Sequence, residues 1–456
     1  MHIDLTLQAA DLLAPIAAMW QHSAACLDRL EARWTPDQGA PVFTAAGQYT
    51  AQGWTEWTQG FQFGSLLLQF DATGDDRYLQ LGRQRTVDCM APHVSHIGVH
   101  DHGFNNISTY GALRRLIREG RVAASPYEQH FYELALKASA AVQAARWQPT
   151  AEGSGYIYSF NGPQSLFCDT IRSLRSLAVG HLLGHRLMGE NDVSCSLLQR
   201  LIEHARTTAR FNVYYGTGRD HYDRRGRVAH EGLFNVNDHR YRCPSTQQGY
   251  SPFSTWTRGL AWIMLGYPEQ LEFLQLIPDA ELAPFGGRAE IEASFLEAAK
   301  ASCDFYIANT ALDGVPYWDT GAPGLVALGD WQTKPADPFN DHEPVDSSAA
   351  AIGCQGLIRL GRYLLHRGDA SGRRYLQAGL TVLRTLLQPP YLVPQAEHEG
   401  LLLHSVYHRP RGWDYIPPGR NIPCGEACQW GDYHLREVAL YVQRLAAGQD
   451  YTFFGP

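Results

Sequence analysis

The chain has 456 residues, 45% of them hydrophobic and 18% charged, with a formal net charge of −8. That length suits one large closed core as well as several smaller ones, and no stretch is polar enough to stay disordered. The acidic balance excludes the broad basic footprint of a nucleic-acid or anionic-membrane binder, so positive charge for any anionic partner has to be placed locally.

The opening Met1-His2-Ile3-Asp4-Leu5 has no basic stretch followed by an apolar core, and no apolar run approaches a membrane span. A cytoplasmic location is therefore expected. Apolar periodicity and stop signals predict twelve helices, near 6–32, 57–72, 76–91, 103–119, 125–145, 164–187, 190–209, 254–276, 287–310, 346–367, 369–388 and 425–446. Strand signals are scarce. A helix-Gly-acid-helix turn recurs at Gly74-Asp75, Gly189-Glu190 and Gly368-Asp369, with glycine suited to the left-handed C-cap and the acid to the next helix's positive end. Short turns of this kind make antiparallel hairpins. Six such hairpins predict an all-α fold, an (α/α)6 six-hairpin toroid with an inner and an outer ring, although a linear solenoid uses similar units. The whole chain, 1–456, is expected to form this one barrel, with long loops near 210–253, 311–345 and 389–424 building the mouth of a cleft.

Two acids stand out. Asp101 precedes His102-Gly103-Phe104-Asn105-Asn106 at a loop-to-helix junction, where it is expected to cap the helix and stay ionised. Asp169 lies in the apolar run Ser165-Leu166-Phe167-Cys168-Asp169-Thr170-Ile171, where a carboxyl needs a partner, such as Arg172, or a proton. If the fold joins them, the charge of Asp101 raises the pKa of Asp169 and makes Asp169 the proton donor. Histidines at 93, 96, 100 and 102 lack the cysteines or HExxH helix of a zinc site, and nine cysteines without a CxxC pair are read as free thiols. No metal and no cofactor is expected. The segment from Gln248 to Trp262 places Trp256, Arg258 and Trp262 where indoles could take sugar C–H faces and a guanidinium a carboxylate, or where all three could simply pack. Trp54, Trp57 and Phe61 carry the same two readings.

Five segments together resemble glycoside hydrolase family 88, the unsaturated glucuronyl hydrolases. They are Trp57-Thr58-Gln59-Gly60-Phe61 running to Ala72-Thr73-Gly74-Asp75; His100-Asp101-His102-Gly103-Phe104 with Asp169; Gln248 to Trp262; Asp313-Gly314-Val315-Pro316-Tyr317-Trp318-Asp319 with Asp346-Ser347-Ser348; and Trp430-Gly431-Asp432-Tyr433. The resemblance implies the same toroid and the hydration of a 4,5-unsaturated uronic acid at the non-reducing end of an oligosaccharide left by a lyase. It assigns the acid/base role to Asp169 and support to Asp101. Trp57, His100, Asn105, Phe160, His230, Gln248, Trp256, Arg258, Trp262, Tyr407 and Arg409 are the expected substrate-binding residues, His230 and Arg258 being the leading polar contacts. Phe160 replaces a tryptophan of the family pattern, and Pro423-Cys424-Gly425-Glu426-Ala427-Cys428-Gln429 lacks the serines the family uses near the substrate carboxylate. A partner other than an oligosaccharide, whether nucleic acid or membrane, is not expected. Competing readings are an unsaturated rhamnogalacturonyl or saturated uronide hydrolase on the same barrel, a sugar epimerase using facing histidines such as His230 and His404, and a non-catalytic sugar-binding protein.

Overall fold

The computed structural model describes residues 1–53, 56–394 and 398–454; Trp54 lies outside them. Among the described residues, twelve long helical runs dominate. They are α1 (Leu13–Arg33), α2 (Gln59–Thr73), α3 (Asp76–Cys89), α4 (102–118), α5 (Pro126–Ala145), α6 (170–182), α7 (Leu197–Phe211), α8 (Thr257–Leu274), α9 (Arg288–Ala308), α10 (Ser347–His366), α11 (Gly372–Leu386) and α12 (Gln429–Ala446). The even-numbered helices pack in succession, α2 on α4, α4 on α6, α6 on α8, α8 on α10, α10 on α12, and α12 back on α2. That closes an inner ring. The odd-numbered helices pack outside it as the partners of each hairpin, so the molecule is an (α/α)6 toroid and not a solenoid.

Burial divides the two rings as hairpin geometry requires. Nearly every residue of α8, α10 and α12 is buried, whereas α7 and α11 bury one stripe. Adjacent inner helices touch backbone to backbone where side chains vanish. A Cβ on Gly60 would lie 2.4 Å from the Asn105 backbone, and one on Gly103 would lie 2.1 Å from the Ser173 carbonyl oxygen, so α2, α4 and α6 can cross this closely only at glycine.

Two of the three repeated turns form as expected. Gly74 (φ 74°) and Gly368 (φ 78°) are left-handed, and Asp75 accepts the Arg77 amide at 3.0 Å. The third does not: α6 ends at Leu182 with Gly184 (φ 70°) as its left-handed residue. Leu187–Met188 and Ser194–Cys195 then pair as a hairpin, leaving Gly189 extended. Residues 164–169 also depart from the expected helix. Ser165–Phe167 is a strand on the edge of a three-stranded antiparallel sheet with Glu231–Phe234 and Tyr241–Ser245, and a short apolar run of that length carries no periodicity to tell strand from helix.

Candidate active site

The N-terminal ends of the inner helices converge on a cleft of about 370 Å³, a size suited to a small ligand. Asp101 precedes α4, Asp169 precedes α6, Trp256 precedes α8, and Trp57 lies just before α2. Trp57, His100, Asp101, Phe160, Asp169, Gln248, Trp256, Arg258, Trp262 and Tyr407 all line the cleft. Phe104, Phe167, Gln247, His408 and Trp413 line it too. Phe104 and Phe167 could have been anticipated, since each sits two or three residues from an aspartate; Trp413 carried no local signal. The loops at 210–253 and 389–424 supply walls directly. The 311–345 loop works from behind: Asp319 accepts the Tyr250 amide at 2.8 Å and so fixes the turn that presents Gln248.

His100 joins the two acids. Its Nε2 lies 3.1 Å from Asp169 and 3.7 Å from Asp101, while the ring is held by Phe160 (16° interplanar) and the edge of Phe167. Its carbonyl accepts from Gln143 and Ser173, which ties the loop to α5 and α6. Asp101 occupies the N-cap position of α4, yet its side chain makes no cap bond, and neither does that of Asp169 on α6. The expected electrostatics are therefore reversed. Burial raises the Asp101 carboxyl, whereas Asp169, against the effect of its own burial, is held below the ordinary range by its hydrogen bond to His100. His100 is raised, the two aspartates overcoming its desolvation. Arg172 is not the partner of Asp169; it is fully buried beneath the site, against Glu269 at 3.1 Å and Glu437 at 2.9 Å.

His230 packs, tilted, against Phe167 and Trp256, 4.4 and 4.7 Å between ring centroids. Its Nδ1 accepts the Gln247 amide at 3.0 Å, which leaves the proton on Nε2; that atom is buried and has no partner among the described residues. Burial pushes the ring down to about 4, so His230 offers a neutral N–H. Arg258, the other expected polar contact, lines the cleft. It is 1% exposed and pairs with Asp346 at 3.1 Å. It donates to Gln248 and to the Tyr407 carbonyl at 2.7 Å each and to the Val406 carbonyl. The guanidinium ends are spent on assembling the wall. Asn105 accepts the Gly60 amide at 2.8 Å and donates toward Glu56 and His93; neither it nor Arg409 is among the residues lining the cleft. His404 receives the Gly425 amide and packs on Tyr391 and Phe339. Like His230, it lies outside the cleft lining. His93 and His102 are held by Asn105, Asn106 and Ser139.

A double helical ring whose open end gathers paired acids among indole and phenol rings defines an α/α-toroid glycoside hydrolase. No protein-family model matches the chain. It is similar to the unsaturated glucuronyl hydrolase of Bacillus sp. strain GL1, 27% identical over 421 residues, 91% of this chain and 93% of that one. The unsaturated glucuronyl hydrolase of Formosa agariphila is 25% identical over 392 residues, 86% of this chain and 80% of that protein. The crystal structure of the Bacillus sp. GL1 enzyme superposes with a TM-score of 0.69 at 24% identity, over 94% of this chain and 97% of that one. Within its class, then, the chain is a relative of the unsaturated glucuronyl hydrolases of glycoside hydrolase family 88.

Proposed function

We propose that this protein hydrates the C4=C5 double bond of a 4,5-unsaturated uronic acid at the non-reducing end of a lyase-generated oligosaccharide, thereby releasing the next sugar. The observation that carries the reading is the Asp101–His100–Asp169 constellation inside a cleft walled by indole rings, in a chain related along most of its length to unsaturated glucuronyl hydrolases. A solved unsaturated glucuronyl hydrolase variant carries the saccharide dGlcA-Glc-Rha-Glc, the substrate type the reading requires. We further infer that the whole chain works as one barrel, its three long loops forming and bracing the mouth.

In this reading a proton passes from Asp169 to C4, and the electron pair of the double bond forms the new C–H bond. The cation left at C5 is stabilised by the ring oxygen. Water adds to C5 and returns its proton to the Asp169 carboxylate. The resulting hemiketal opens by breaking the bond between C5 and the ring oxygen, and the hemiacetal exposed at C1 expels the aglycone. In the free protein the proton that Asp169 needs resides in the His100–Asp169 hydrogen bond. A substrate that displaces water and brings its own negative charge shifts it from imidazolium to carboxyl. Asp101 holds His100 and can accept a sugar hydroxyl.

The test is loss of the ultraviolet absorbance of the conjugated uronate, using unsaturated disaccharides from several lyases and Asp169→Asn as control. Consumption that vanishes in the variant supports hydration. Cleavage of saturated uronides, with the unsaturated ones untouched, overturns it.

A further inference from the structure

A uronate brings a carboxylate into a cleft that already holds Asp101, Asp169 and, at its rim, Glu56. Like charge keeps it away from that side. Among the described residues the cleft lining contains no lysine and one arginine, Arg258, whose guanidinium ends are engaged with Asp346, Gln248 and two carbonyls. The 389–424 loop supplies Tyr407, His408 and Trp413 to the lining.

We infer that His408 is the residue that receives the substrate carboxylate, an assignment that rests on the uronate reading above. The side chain lines the cleft and is 4% exposed, and its Nδ1 is buried without a hydrogen-bond partner among the described residues. Tyr407 and Trp413 fix the ring, at 5.9 and 5.1 Å between centroids. The backbone beneath is pinned twice, because the Asp414 carboxylate accepts the amides of Tyr407 and His408 and Arg258 holds the Tyr407 carbonyl. Burial, Arg258, Arg411 and His230 disfavour the cationic form of the ring, outweighing its own backbone, which favours it, and Arg411 lies over Trp413 at 5.2 Å. Asp414, fully engaged with backbone amides, is the acid of this wall. The neighbourhood is thus a positive field around a preorganised ring with an unused polar atom. A carboxylate reverses that balance: it accepts the ring N–H and is attracted by the same cationic groups that disfavour an imidazolium there. This also accounts for Pro423 to Gln429 dispensing with serines.

The experiment measures binding, so that it does not depend on turnover. Asp169→Asn, and the same variant with His408→Ala or His408→Gln, are titrated calorimetrically with an unsaturated uronyl disaccharide and with its C6 methyl ester. With His408 present, the ester is expected to bind about tenfold or more weakly than the acid, the worth of one hydrogen bond to a charged group. His408→Ala should weaken the acid by a similar factor and bring the ratio of acid to ester near one; His408→Gln, which keeps an N–H donor, should recover part of the discrimination. The assignment fails if the ratio is unchanged in His408→Ala, if Asp169→Asn alone does not distinguish acid from ester, or if neither ligand binds. Should the ratio behave as stated while the unsubstituted protein leaves the double bond intact, hydration is wrong and the carboxylate site stands.

Discussion

Arg258→Met keeps most of the side-chain volume and removes the guanidinium. It leaves Asp346 buried without its cation, and it orphans the Val406 and Tyr407 carbonyls and the Gln248 amide oxygen. Breaking a buried ion pair costs about 3–5 kcal/mol. Asp346 retains cap bonds from the Ser348 and Ala349 amides at 3.0 and 3.3 Å, so the low end applies, and the carbonyls add about 1 kcal/mol each. The expected loss is about 5 kcal/mol, or about 5 °C in Tm for a protein of this size, whose entropy of unfolding is about 1 kcal/mol/K. It should be read by thermal and denaturant unfolding alongside kinetics on the unsaturated disaccharide. Adding Asp346→Asn, which preserves a cap acceptor, should restore about 2 kcal/mol through the pairwise coupling. If Arg258→Met leaves Tm within about 0.5 kcal/mol equivalent and raises only KM, Arg258 is a substrate contact after all and the wall does not depend on it.

Gly103→Ala forces a Cβ to 2.1 Å from the Ser173 carbonyl oxygen; a stability loss of about 3 kcal/mol and collapse of turnover are expected, because the α4–α6 crossing sets the spacing of Asp101 and Asp169. A fall in Tm without loss of activity would show that the spacing is elastic. Asp101→Asn should lower the rate about 10²–10⁴-fold in the absorbance assay and lower the pKa of His100 followed by NMR, whereas a merely structural carboxyl would leave that pKa unmoved. Stability should also fall on acidification: His102 and His434 are pushed by burial from 6.5 down to about 4, so the unfolded chain takes up their protons first as pH drops through that window. At pH 5 the two contribute about 4 kcal/mol of destabilisation relative to pH 7. Carboxyls raised by burial, such as Asp432, oppose part of it, and denaturant midpoints at the two pH values check the net fall.

The helices were legible because a barrel of hairpins repeats one instruction, a periodic apolar stripe followed by Gly and an acid, as at Gly74-Asp75 and Gly368-Asp369. What closes the ring was not, because Gly60 and Gly103 matter through the backbone of a neighbour, and sequence does not show which helix passes there. The same holds within the site. The cleft-lining indoles were visible as residue types, but Arg258 in an aromatic segment reads equally as a ligand contact and as a strut, and its bonds to Asp346, Gln248 and two carbonyls emerge only in the fold. Asp432, quoted above as part of a motif, proves to be a buried anchor that accepts the Leu401 and Leu402 amides at 2.8 Å each and so holds the 389–424 loop.

The reversal at the two aspartates has the same origin and bears on mechanism. From sequence, the acid in the more apolar run should be the neutral one. In the fold both are buried nearly alike, at 7% and 8% exposure, and the difference lies in which of them holds His100. Asp169 takes the 3.1 Å contact and is stabilised as the anion; Asp101, at 3.7 Å, bears more of the cost of burial. Hydration of an enol ether asks one group to give a proton and then to take one from water. A carboxylate that rests ionised beside a proton-bearing imidazole can do both, provided the imidazole surrenders its proton when substrate arrives. A carboxyl kept neutral by burial becomes an anion as soon as it donates, and burial raises the cost of that step. In the proposed mechanism Asp169 thus serves as acid and base for a reason opposite to the one its local sequence suggests.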